Sequence, residues 1–112
     1  MRLEVKESEE SRRAEMQSAQ NKIADAETNL ARLTKMFAVG AVSEPEVSHA
    51  HFAVQLLKAE AKGDEGLAAQ FRLQEAEQDL GRATKMRNVG VISQSEYDDA
   101  ARKVESLRTG TK

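Results

Sequence analysis

Residues 34–50, TKMFAVGAVSEPEVSHA, return fifty positions later as TKMRNVGVISQSEYDDA over 84–100. Extending the match gives 17 identities over the 44 positions from Glu15 and Glu65 to Lys58 and Arg108. Most of the chain is therefore one supersecondary unit written twice, and that period decides the fold before any local propensity does. At the centre of each copy lie Gly40 and Gly90. Glycine enters the left-handed region without a Cβ penalty, so each reads as a helix stop. Three residues on, Ser43 and Ser93 are placed to cap a new helix, with Glu46 and Glu96 at the third helical position to close a capping box. Val42 with Val47, and Ile92 with Tyr97, bracket those caps as hydrophobic staples. Pro45 falls in a first helical turn, where its missing N–H is not needed. A stop and a start this close together predict a tight αα-hairpin, twice.

Outward from the turns, apolar residues step by three and four at Met16, Ala19, Ile23, Ala26, Leu30, Leu33 and Phe37. The step is that of a coiled-coil seam. It continues at Val47, Ala50, Val54, Leu57 and Ala61; at Ala69, Leu73, Ala76, Leu80 and Ala83; and at Tyr97, Ala100, Val104 and Leu107. Alanine fills many alternate layers, which lets helices approach closely. The expected fold is all-α: tandem antiparallel coiled-coil αα-hairpins. The division is a polar N-terminal extension over 1–13, a first hairpin over 14–62, a connector over 63–66, a second hairpin over 67–108 and a tail over 109–112. In the extension Leu3 and Val5 alternate as a short strand would, although a frayed helix is the preferred reading.

The connector Gly63-Asp64-Glu65-Gly66 leaves two arrangements open. The seams change phase across it, so a continuous helix would turn its two apolar stripes to nearly opposite faces. A break is preferred, giving four helices that can pack as one antiparallel bundle. The alternative is three helices, with a long central one and a hairpin folded back on each end.

Composition narrows function more than it names it. The 112 residues are 39% hydrophobic and 32% charged with a net charge of −2, acids and bases interspersed. No basic face points to nucleic acid or to an anionic membrane. The longest apolar run, Phe37 to Val42, is far short of a bilayer span of ~20 residues, so no direct membrane insertion is expected. The start, MRLEVKESEESRR, has no apolar core of a signal peptide. Read as a whole gene product the protein is expected in the cytoplasm. Read as a fragment of an envelope protein it belongs to the periplasm.

The chain has no cysteine, and its two histidines, His49 and His51, stand two apart on a helix and point away from each other. Neither has a histidine counterpart in the second copy, where Asp99 and Ala101 stand. Asp98 and Asp99 read as a solvated face. No phosphate loop, nucleophile–base pair or metal-ligand spacing occurs, so no enzyme activity and no cofactor are expected.

A different set recurs in both copies: Arg32, Met36 and Ser43, then Arg82, Met86 and Ser93, with spacings of four and seven. Capping explains Ser, and gap-filling or solvation explains Met and Arg, without any binding role. The segment LGRATKMRNVGVISQSEYDDAARKVESL, however, resembles the α-helical hairpin of periplasmic adaptor (membrane fusion) proteins of bacterial efflux and secretion systems. In that family the tip carries Arg, then Leu four later, then Ser seven after that, and these residues dock a channel. Arg82 and Ser93 match with Met86 in place of the Leu, and Arg32, Met36 and Ser43 match the same way.

The resemblance implies protein partners met at the hairpin tips, an outer-membrane channel or transporter component among them. An adaptor has one hairpin set in lipoyl and barrel domains, whereas two hairpins stand here. The first copy is also similar to helices of outer-membrane efflux channels, and the turn to oligomerisation hairpins of the SHOCT type. The expectation is a non-catalytic interaction module that docks or assembles through its seams and tips; the alternative is a self-associating coiled coil with no transport role. A homo-oligomer fits either.

Overall fold

The computed structural model describes the backbone of residues 2–110 and the side chains of residues 9–110. Four helices follow one another: α1 (Arg2–Ala38), α2 (Glu44–Ala61), α3 (Glu65–Asn88) and α4 (Gln94–Gly110). There is no strand among the described residues. The polar stretch before Ala14 is helical from Arg2 onward, Leu3 and Val5 included. The tail is helical through Gly110; Thr111 and Lys112 lie outside the described residues.

The chain divides into two compact units, one ending at Gly63 and one beginning at Asp64. In the first, α1 packs on α2; in the second, α3 packs on α4. The connector breaks the central helix. Gly63 has φ +71°, its N–H donating to the Glu60 carbonyl at 3.0 Å. Asp64 then caps α3 by accepting from the Leu67 N–H at 2.9 Å. A left-handed residue followed by a carboxylate cap satisfies backbone groups that an uninterrupted helix would have paired internally.

Both tips close in the same way. The Gly40 and Gly90 N–H groups donate to Phe37 and Arg87 carbonyls, each at 3.0 Å, with φ of +76° and +77°. The next N–H groups, of Ala41 and Val91, reach back to Met36 and Met86 carbonyls, each at 2.8 Å. This pair of bonds is the Schellman helix stop. The capping boxes follow. Ser43 N–H donates to Glu46 Oε1 at 3.4 Å, and Ser93 N–H to Glu96 Oε1 at 3.3 Å. Glu96 N–H returns a bond to Ser93 Oγ at 3.1 Å.

The seams are lean. The buried apolar residues are Ala50, Phe52, Val54, Ala59, Ala68, Ala76, Ala83 and Val104, most of them alanine. No described residue of α1 is fully buried; Ile23, Ala26, Leu30 and Leu33 are each half-covered. Helix length explains part of this. α1 has 37 residues against 18 in α2, so at 1.5 Å per residue about 28 Å of α1 runs past the end of its partner.

Four seam expectations are corrected accordingly. Met16 is 62% exposed because it sits where α2 is ending. Ala61 is exposed as the last residue of α2, released by the break at Gly63. Phe37, in the last turn beside the tip, is 46% exposed. In the first turn of α3, Ala68 rather than Ala69 is buried, as Ala76 and Ala83 are further along. Phe52 and Ala59 are buried although they fall outside the three-four spacing read for α2.

An ion pair crosses each hairpin at equivalent places in the repeat. Lys58 Nζ lies 3.6 Å from Glu27 Oε2, and Arg108 Nη2 lies 3.4 Å from Glu77 Oε2. All four groups are partly exposed, which limits each pair to about 0–1 kcal/mol. Their value is in register: a slip of either helix would separate the charges.

Candidate functional site: the hairpin tips

Each tip is built from the last two turns of one helix, the Schellman stop and the capped start of the next. The seam cannot cover this end, because the chain itself turns across it. Val39 and Val89 occupy the position just before each left-handed glycine and are 80% and 74% exposed. Val91 is 65% exposed and Met86 44%, while Met36 is half-buried. Isolated exposed apolar residues are ordinary. Here they gather at one end of each hairpin, with valine at the same position in both copies.

The six residues singled out from the sequence divide by role. Ser43 and Ser93 serve the helix starts described above, and their hydroxyls also donate to Glu46 Oε1 and Glu96 Oε1, each at 3.2 Å. Capping is thus sufficient to account for serine at both positions. Arg32 donates from Nη2 to Asn29 Oδ1 at 2.7 Å, and its Nη1 lies 3.3 Å from Met36 Sδ. Arg82 donates from Nη1 to Asp79 Oδ1 at 2.9 Å and is more covered, its side chain 24% exposed. Both arginines therefore take a partner one turn back, Asn29 in one copy and the aligned Asp79 in the other. The structure brings Arg32 and Met36 together on the surface of α1, and their serine stands apart across the turn.

The tips also differ. Arg87 lies over the Tyr97 ring with 3.9 Å to its centroid, a cation–π contact that ties the end of α3 to the first turn of α4. The aligned positions of the first hairpin hold Phe37 and Val47, which supply no cation for such a contact. The exposed valines and the Arg87–Tyr97 contact were missed in the sequence. The signal for the valines was their place between a helix end and a left-handed glycine, outside any seam position.

Away from the tips, the other polar residues singled out in the sequence take local places on the helices. Among the described residues no three His, Asp or Glu side chains gather as a metal site. His49 and His51 are exposed, and His51 meets Phe52 edge-on with ring centroids 5.6 Å apart. Asp98 accepts from Gln94 at 2.9 Å, and Asp99 pairs with Arg102. No helix of the described residues is long and apolar enough to cross a membrane. In comparison with known proteins, no family model, no curated sequence and no solved structure matches this chain.

Proposed function

We propose that the chain is a non-catalytic helical interaction module that meets a protein partner through the tips of its two hairpins. The observation that carries this reading is the valine at each tip, Val39 and Val89, left in solvent at the same place in both copies. Arg32 with Met36, and Arg82 with Met86, stand within two helical turns of those valines. Methionine offers an adaptable apolar surface and arginine a planar multi-donor head, a pairing suited to meeting another helical end. By the resemblance to adaptor hairpins, the partner is a channel or transporter component of a bacterial envelope.

The test is paired. Val39→Asn/Val89→Asn and Arg32→Gln/Arg82→Gln double variants are compared with wild type by thermal melting and by pull-down from a lysate of the source organism. Unchanged melting with loss of a partner that wild type recovers supports the tips. Full recovery by both variants removes the reading.

A second reading, self-association with no transport role, is favoured by the lean core. A hairpin whose longer helix buries no described residue gains stability from a further layer. Concentration-dependent sedimentation by chains with altered tips is the outcome that favours this reading over the first.

A further inference from the structure

On α1, Ala24, Ala31 and Ala38 recur every seven residues and are all exposed. At 100° per residue they share one face with Glu27, Thr28, Thr34 and Lys35. Beside this face an open groove of about 510 Å³ runs between α1 and α2, lined by Glu27, Leu30, Ala31, Thr34, Lys35 and Val54 among others. Leu30 and Val54 make its floor partly apolar, and Ala31 leaves the α1 backbone open to close approach.

The pattern of charge selects the occupant. Glu27 stands four residues before Ala31, and Lys35 four residues after it. Thr28 and Thr34 flank it at three, and Ala24 and Ala38 at seven. The face therefore reads as its own complement when reversed. An identical helix laid antiparallel about Ala31 sets Glu27 against Lys35 twice, threonine against threonine, and alanine against alanine. The threonine hydroxyls need nothing from a partner, since Thr28 donates to the Ala24 carbonyl at 2.9 Å and Thr34 to the Leu30 carbonyl at 2.7 Å. Lys35 has no ion pair among the described residues, and Glu27, which meets Lys58 through Oε2, has its Oε1 to offer a partner's lysine.

We propose that this face of α1 is a two-fold interface with a second copy of the chain, α1 packing antiparallel on α1 about Ala31. A two-fold interface requires a self-complementary patch. The repeat keeps the charged part of the pattern about Gly81, with Glu77, Thr84 and Lys85 identical and glycine in place of Ala31, while Gln74, Gln78 and Asn88 replace Ala24, Thr28 and Ala38. Gly81 sits mid-helix, where glycine is a poor helix former, and a Cβ there would meet nothing within 4 Å. Nothing inside the chain requires it. A neighbouring helix brought against it gives a reason for the missing side chain.

The inference does not rest on the tip reading, and its test leaves Arg32, Met36 and Val39 unchanged. Two charge variants are made in both copies at once: Lys35→Glu/Lys85→Glu, and Glu27→Lys/Glu77→Lys. Each sets like charges opposite each other in its own dimer, so sedimentation equilibrium should show association weakened at least about tenfold for each alone. Mixed in equal amounts the two are complementary and should form a heterodimer, with far-UV circular dichroism showing each still helical. A Lys35→Gln/Lys85→Gln variant, which removes charge without reversing it, should fall between. A wild-type chain monomeric up to about 0.5 mM overturns the proposal. So do variants that self-associate as wild type does, and a mixture that forms no heterodimer.

Discussion

Gly81 and Gly90 stand nine residues apart at the end of the same helical segment, and the same substitution should act on them with opposite sign. Gly90 has φ +77°, and its N–H and that of Val91 close the helix with bonds of 3.0 and 2.8 Å. A Cβ added there would meet nothing within 4 Å, so the penalty of Gly90→Ala is all in the backbone. An L-residue held left-handed loses about 1–2 kcal/mol, and the stiffer unfolded chain returns about 0.4–1. The net expectation is a loss of about 1 kcal/mol. Gly90→Val should lose more, since a β-branched residue resists positive φ, and Gly90→Asn less. Gly81 lies inside α3 with helical backbone and open space around its Cβ position. Gly81→Ala should therefore gain up to about 1 kcal/mol, as helix propensity and unfolded-state entropy both favour alanine. The first hairpin already has Ala31 at the aligned position. Urea melts followed by circular dichroism, at a concentration low enough to suppress association, would read the difference as a shift in midpoint at constant slope. Shifts of the same sign for Gly81→Ala and Gly90→Ala would refute the reasoning, because nothing but backbone conformation separates the two sites.

The remaining expectations use the same melts. Asp64→Ala should lose about 1 kcal/mol through the cap on Leu67 N–H, and Asp64→Asn much less; equal losses would mean the carboxylate acts otherwise. Val104→Ala should be among the more damaging single changes, about 1–3 kcal/mol, because the side chain is 2% exposed on α4; a loss below about 0.5 kcal/mol would show that the seam collapses around the gap. Arg87→Ala should lose about 0.5–1 kcal/mol and Arg87→Lys only part of that, with no change expected if the contact over Tyr97 is broken in solution.

The turns were legible because local chemistry determines them without tertiary help. Glycine, a small hydroxyl residue and a glutamate at fixed offsets satisfy the backbone groups of a helix end and a helix start whatever lies further along the chain. The helix break was preferred from the change of seam phase across 63–66, and the Asp64 cap that completes it came with the structure. Burial was harder. The three-four spacing marks which face of a helix is apolar, but coverage depends on how far the partner helix extends. Met16 and Ala61 both fit the spacing and both sit near the end of α2, so both are exposed. The crossing ion pairs could have been found: Glu27 and Lys58 align with Glu77 and Arg108, opposite charges preserved in both copies at matching distances from the turn.

Sorting the repeated residues by what the fold asks of them isolates those it leaves unexplained. Ala26, Leu30, Ala50, Val54 and Leu57 line the seam with their counterparts; Gly40, Ser43 and Glu46 make the turn; Thr34 bonds its own helix as Thr84 does. Glu27 holds register across the hairpin. What remains near the turn is Arg32, Lys35, Met36 and Val39, each identical in the second copy and each at least partly exposed. Their neighbours have diverged freely: Phe37 against Arg87, Ala38 against Asn88, Ser48 against Asp98, His49 against Asp99. A stretch kept only for helix and turn geometry should have let exposed side chains drift at Val39 as it did at Ala38. Retention beside divergence, within two turns of a tip the seam cannot cover, supports a surface that meets another protein. Lys35 falls on the opposite flank from Arg32 and Met36 relative to the seam, which is why it enters the self-pairing face and they enter the tip.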